Sequence, residues 1–192
     1  AACSDDSSTS GTTAGAAGST ALAVATTTAT EPEVTIAEPD DTVETSTGVV
    51  YQDPAELLAP LAGHTFLPAP DGVGDALVQE MNADPVLASQ VLAVGAVMTQ
   101  NDTTGDQVLL IFFELKEPLG DADLAEYYDS VTAGGTDIID VDVAGRSGKA
   151  FVSGSTSSFT TVSGTTGILA QADSTDALQA SVTALFEANP QL

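Results

Sequence analysis

VLAVGAVMTQNDTTGDQVLLIFFEL, residues 91–115, decides how the rest of this 192-residue chain is arranged. Two apolar runs bracket NDTTGD (101–106), a short polar segment of turn-forming residues, and the pattern reads as a β-hairpin. The second run, QVLLIFFEL (107–115), is nearly all apolar. A strand of that kind is central in its sheet and covered on at least one face. The first run, extended back as LASQVLAVGAVMTQ (87–100), suits either a strand or a buried helix, because Ala, Leu and Met fit both.

Outward from the hairpin the signals are local. Downstream, DADLAEYYDSV (121–131) places Leu124, Tyr127, Tyr128 and Val131 on one helical face, with Asp121 as N-cap and Gly134-Gly135 as stop. DIIDVDV (137–143), KAFVSG (149–154), SSFTTVSG (157–164) and GILAQA (167–172) then read as strands joined by Gly- and Ser-rich turns. STDALQASVTALFEA (174–188) closes the chain as a helix whose apolar set is Leu178, Val182, Leu185 and Phe186, capped by Asp173 or Ser174. Upstream, GDALVQEMN (74–82) reads as a short helix stopped by Asp84-Pro85, since the residue before proline avoids helical geometry. PAELLAPL (54–61) is a short helix or turn, and HTFLPAPDG (64–72) a loop. GVVY (48–51) suits an edge strand, whereas VTI (34–36) is assigned to the segment before the domain.

These elements predict an α+β fold: an antiparallel sheet of about five to six strands with two or three helices packed on one face. The domain is read as residues 51–192, a sufficient length for one core. Residues 1–50 differ in kind. Thirteen of the 27 positions from 4 to 30 are Ser or Thr, and residues 31–50 add six acids and no base. Such a composition cannot bury enough apolar surface to offset the entropy of ordering, so it predicts a disordered tether. As a flexible coil, residues 4–50 have an r.m.s. span of roughly 35–40 Å.

Charge narrows the function. The chain has 28 acids against Lys116, Arg146 and Lys149. A field of that sign repels nucleic-acid backbones and anionic lipid surfaces. The acids are spread along the whole chain, as in a general adaptation of the surface, for example to salt, rather than massed for one cationic partner. No apolar run approaches the ~18 residues of a membrane-spanning helix.

The only cysteine is Cys3, so no intrachain disulfide forms. Ala1-Ala2-Cys3 resembles the last three positions of the lipobox of bacterial lipoproteins, and the Ser/Thr-rich run from Ser4 resembles the tether that follows it. The resemblance implies cleavage just before Cys3, a diacylglyceryl group on its thiol and often acylation of the new amine. It therefore implies an extracytoplasmic domain held to the membrane through Cys3, since two acyl chains are what stable attachment requires.

No catalytic, cofactor or metal site is predicted. AGRSGKA (144–150) lacks two residues of a phosphate-binding loop, with Val143 where a glycine belongs and Ala150 where Ser or Thr belongs, so it reads as a hairpin turn with solvated bases. Asp140 and Asp142 have calcium-loop spacing, but the third ligand position is Ala144 and the twelfth is Phe151. On a strand they share a solvent face while Val141 and Val143 point inward. Asp121, Asp123 and Glu126 read as charges that favour a helix N-terminus. His64 is the one imidazole, and FVSGSTSS lacks the second glycine of a nucleophile elbow, Ser158 standing there. Asn101-Asp102-Thr103 satisfies the N-glycosylation sequon but lies in the hairpin turn, where Asn and Asp belong on backbone grounds.

The expected function is a lipid-anchored, non-enzymatic binding, sensing or accessory domain of a bacterial cell envelope, with the membrane and an envelope protein as partners. The alternative is a carrier of a small apolar ligand in a pocket between sheet and helices, and a secreted hydrolase using His64 ranks below both. Expression in a bacterial host with the native leader is expected to give a chain whose intact mass includes lipid and which enters the detergent phase of a Triton X-114 split. Cys3→Ala is expected to remain aqueous and unmodified.

Overall fold

The computed structural model of the chain describes residues 48–192. VTI (34–36), most of the proposed tether and Cys3 lie outside the described residues. The fold is α+β, built on one mixed eight-stranded sheet with four α-helices. The strands are β1 (Val50–Tyr51), β2 (His64–Pro68), β3 (Val91–Asn101), β4 (Gln107–Leu115), β5 (Thr136–Val143), β6 (Arg146–Ser153), β7 (Thr156–Ser163) and β8 (Thr166–Ala172). The helices are α1 (Val73–Ala83), α2 (Pro85–Gln90), α3 (Asp121–Val131) and α4 (Thr175–Ala188). Strand order is β1-β3-β4-β8-β7-β6-β5, with β2 also on β3.

The 91–115 hairpin forms as its sequence predicts, in a register running from Val91↔Leu115 to Gln100↔Gln107 with one irregularity between Val91 and Ala93. The ambiguous run before it divides in two. Pro85–Gln90 is helix and Val91 onward is strand, because Asp84 turns extended before Pro85 and its carboxylate accepts from Val86 N (2.8 Å) and Leu87 N (3.3 Å) to start α2.

Three expectations are corrected. HTFLP (64–68) is a strand, not a loop: it pairs antiparallel with Val97–Asn101 and places Pro68 at the strand end, where a missing N–H costs no ladder bond. The sheet has eight strands and is mixed, since β1 runs parallel to β3 through Val50↔Ala93 and Tyr51↔Val94. Two strands thus share one edge of β3, which short-range hairpin signals do not reveal. Helices also cover both faces rather than one. Leu178, Val182, Leu185 and Phe186 of α4 pack on Val97, Val108, Leu110, Phe159 and Ile168. Leu77, Val78 and Met81 of α1 join Val49, Val91, Val94 and Leu115 on the opposite face. β4 supplies the even positions to the first cluster and Phe113 and Leu115 to the second, as alternation requires.

Smaller differences concern the caps. Ser174 caps α4 through its hydroxyl to Ala177 N (3.1 Å), whereas α3 begins after Gly120 with no side-chain cap, so Asp121 is its first residue. Pro54–Glu56 is a single 3-10 turn. Val49 is only 4% exposed and is clamped by Asn82, whose Oδ1 accepts from Val49 N (3.0 Å) and whose Nδ2 donates to Val49 O (3.3 Å). Asn189, fully buried, ties the 54–62 segment to α4 by accepting from Ala59 N (2.8 Å). The open edge at β5 is broken by an irregularity between Thr136 and Ile139, with Asp137 at φ 53°, and carries three aspartates. Both are devices that discourage edge-to-edge pairing.

Gly95 and Gly167 are among the sites of close approach. A Cβ on Gly95 would stand 2.1 Å from Gln52 O, where the chain crosses from β1 onto the α4 face. A Cβ on Gly167 would stand 1.8 Å from the Phe113 ring, which lies over this glycine from the neighbouring strand. Gly167→Ala is therefore expected to displace Phe113 and lower stability by about 1–3 kcal/mol, read as an earlier midpoint in urea unfolding.

Candidate functional site

The face opposite α4 is covered unevenly. Alternate residues of β4 are buried toward α4, but Leu109, Ile111 and Phe113 on the other side are only half-buried. Between α1–α2 and α3 this leaves a groove of about 330 Å³. Its floor is Val91, Phe113 and Leu115 of the central hairpin. Met81, Val86 and Leu87 form one wall, and Leu119 closes it where the chain leaves β4 for α3.

The second wall is α3. Asp123, Glu126, Tyr127 and Ser130 all line the groove, at i, i+3, i+4 and i+7 of the helix. Tyr127 anchors this wall. Its ring is 5.5 Å from Phe113 at a tilt of 53°, and its hydroxyl lies 2.5 Å from Thr160 Oγ1. Thr160 Oγ1 donates in turn to Ile168 O (3.1 Å), so the Tyr127 hydroxyl is the donor and Thr160 the acceptor. Burial is the main cause that pushes the Tyr127 pKa up to about 12. Asp84 stands on the α1–α2 side, held by its capping bonds.

The bases do not enter this groove. Lys149 lies on β6 beneath α3, donating to Asp140 (2.7 Å) with its ammonium 5.9 Å from the Tyr128 ring centroid. Arg146 donates to Pro190 O after α4. Lys116 Nζ donates to Ala88 O (3.0 Å) near the C-terminal end of α2. AGRSGKA thus holds a tight hairpin turn at Ala144-Gly145, both at positive φ, but its bases are engaged with the fold rather than simply solvated.

The other sequence candidates do not assemble with the groove. Asp140 and Asp142 share the α3 side of β5, and Val141 and Val143 pack toward the α4 core. Among the described residues no three His, Cys, Asp or Glu side chains converge on a metal position, and no helix is long and apolar enough to cross a membrane. His64 opens β2, with Nδ1 donating to Ala62 O (3.0 Å). It lines an open cleft with Asp176, Thr183 and Glu187 of α4. The one ion pair among the described residues is Lys149–Asp140, so no carboxylate stands within 4.0 Å of the imidazole. Asn101 turns inward on its own loop, its Oδ1 accepting from Thr103 N (2.9 Å) and Thr104 N (3.0 Å). Cys3 lies outside the described residues.

A second apolar hollow, about 200 Å³, lies on the α4 face beside Leu57, Leu58, Phe112 and Leu192. It is smaller than the α3 groove and has Glu114 as its one charged group. Comparison with known proteins finds no family model, no curated protein and no solved structure that matches this chain.

The groove's residues were only partly visible in the sequence. Val91, Phe113, Leu115 and Tyr127 stand in recognisable apolar patterns, but the part played by Met81 and Leu119 and the placement of Asp123 and Glu126 along the groove follow from how the helices cross the sheet.

Tyr127 gives a direct check of this wall. Its folded pKa lies above the ordinary 10.0, so its contribution is fully present below pH 10 and is lost as pH rises from 10 through about 12. Tyr127→Phe is expected to lose about 1 kcal/mol at neutral pH by removing the buried hydrogen bond. Urea midpoints across pH 9–12 are expected to fall more shallowly in this variant than in the parent.

Proposed function

We propose that the chain is a non-enzymatic binding domain of a bacterial cell envelope, held on the extracytoplasmic side by lipid on Cys3, with the α3 groove as its ligand site. The observation that carries the binding role is the groove itself. An apolar floor, two helical walls and a few polar groups at the rim are the usual ingredients of a small-molecule site, and about 330 Å³ is at the small end of that class. The groove favours a carrier of a small apolar ligand over an accessory domain that acts only through its surface. What supports the anchored location is Ala1-Ala2-Cys3 followed by the Ser/Thr-rich segment.

The floor strands are held rigidly by their ladders, while the walls belong to helices with fewer partners in the core. A ligand would gain affinity mainly from apolar area removed from water, at roughly 25 cal/mol per Å² before the costs of binding. Ser130, exposed on the α3 wall, offers a way to fill the groove without cutting the core. N-phenyl-1-naphthylamine, a neutral apolar probe, is expected to brighten on binding the parent chain at one saturable site. Ser130→Trp is expected to weaken that binding at least tenfold with an unchanged urea midpoint. Saturable binding that Ser130→Trp leaves untouched would place the site elsewhere.

A further inference from the structure

Resting on the groove reading, we infer that the ligand is a single-chain amphiphile whose long hydrocarbon chain lies along β4, in a slot between α1 and α3. The enclosed groove is only one end of this slot. Alternation puts Leu109, Ile111 and Phe113 on one face of β4, and all three are half-buried. Their cross-strand neighbours Met98 and Leu169 are half-buried as well. The apolar floor therefore continues past the groove, from Leu115 to Leu109, over about 20 Å at the rise of an extended strand. It ends at Gln100 and Gln107, a cross-strand pair of uncharged amides where a polar head can remain in water.

The width of the slot selects the occupant. α1 packs on β1 and β3, and α3 on β7. In the strand order β3-β4-β8-β7 those footings are three strand spacings apart, about 14 Å. Helices in direct contact have axes about 8–10 Å apart, so α1 and α3 do not close over β4. A third helix between them would need about 16–20 Å. Two helices with bodies about 10 Å across leave a slot about 4 Å wide, the contact distance of one carbon chain. A slot of about 4 by 20 Å is also roughly a tenth of the ~800 Å² per partner that a stable protein interface buries. A second copy or a folded partner therefore has no footing there.

Two other apolar hollows lack this form. The one at the split sheet edge is larger, about 450 Å³, and is lined by Tyr51, Phe66 and Leu67. Residues 69–72, the turn into α1, bound it, so it does not continue along a strand. The one beside Leu58 and Phe112 is about 200 Å³ and lies on the α4 face, where Val108 and Leu110 of β4 are already fully buried.

The test is displacement of N-phenyl-1-naphthylamine from the full chain by octyl, decyl, dodecyl and tetradecyl maltoside, each below micelle formation. Affinity is expected to rise about threefold per methylene through tetradecyl, with one molecule bound per protein. Leu109→Gln makes the far half of the floor polar. It is expected to abolish the rise beyond decyl while leaving naphthylamine and octyl maltoside binding unchanged. Met98→Gln, on the neighbouring strand, is expected to act in the same way. Ala55→Trp fills the exposed wall of the sheet-edge hollow and is expected to leave the whole series intact. A plateau at octyl in the parent would overturn the inference and leave the groove as a site for short ligands. A rise that both glutamine variants leave intact, or that Ala55→Trp removes, would also overturn it by placing the chain elsewhere. Maltosides that fail to displace the naphthylamine would overturn it too. Absence of saturable naphthylamine binding would instead remove the groove reading itself, and the inference with it.

Discussion

Strand β4 sets the terms for everything around it. Seven consecutive residues from Val108 to Glu114 pair with β3 on one side and β8 on the other, so its ladder bonds are fixed along both edges. Apolar side chains project from both of its faces. Burying a large aliphatic or aromatic side chain is worth about 1.5–3 kcal/mol, so neither face can be left to water without forfeiting much of the fold's small net stability. One face is met by α4, where Leu110 and Leu185 are fully buried. The other is met by α1, α2 and α3, and less completely.

That incomplete cover is the origin of the candidate site. The second face would be easy to close with a longer or more apolar α3, but the helix instead presents Asp123 and Glu126 beside Tyr127. Its position is fixed by a small number of specific contacts, above all the Tyr127 hydroxyl on Thr160 and the Tyr127 ring on Phe113. Phe113 in turn lies over Gly167, where a side chain would collide with it. A chain of contacts therefore runs from a glycine in β8 through an aromatic pair to the acidic wall. Local packing of this kind sets where charge stands relative to apolar surface, and that relation governs what the groove can hold.

Elements are legible in the chain in proportion to how locally they are encoded. Signals carried within a dozen residues were reliable: the 91–115 hairpin, α3, α4 and the run of strands from β5 to β8. Asp84-Pro85 stops α1 as the dipeptide predicts, but its second role as the start of α2 depends on a capping geometry that the dipeptide only permits. HTFLP carried two prolines nearby and no clear alternation, so its strand identity comes entirely from the free edge of β3. The same edge captures Val50 and Tyr51 in a parallel pairing, and a pairing across some forty residues leaves no local trace.

By itself, the sequence determined the α+β class, the periodic elements, the absence of an intrachain disulfide and the acidic character, because each depends on composition or short-range spacing. It also placed Val141 and Val143 opposite Asp140 and Asp142, since strand alternation is a local rule. Only the tertiary structure decided the split edge of the sheet, the cover of both faces and the groove between α2 and α3. Those features arise where elements distant in sequence compete to cover one surface. Asp123 and Glu126 illustrate the division: in the chain they are ordinary first-turn and second-turn helix acids, and the sheet beneath α3 makes them the rim of an apolar groove.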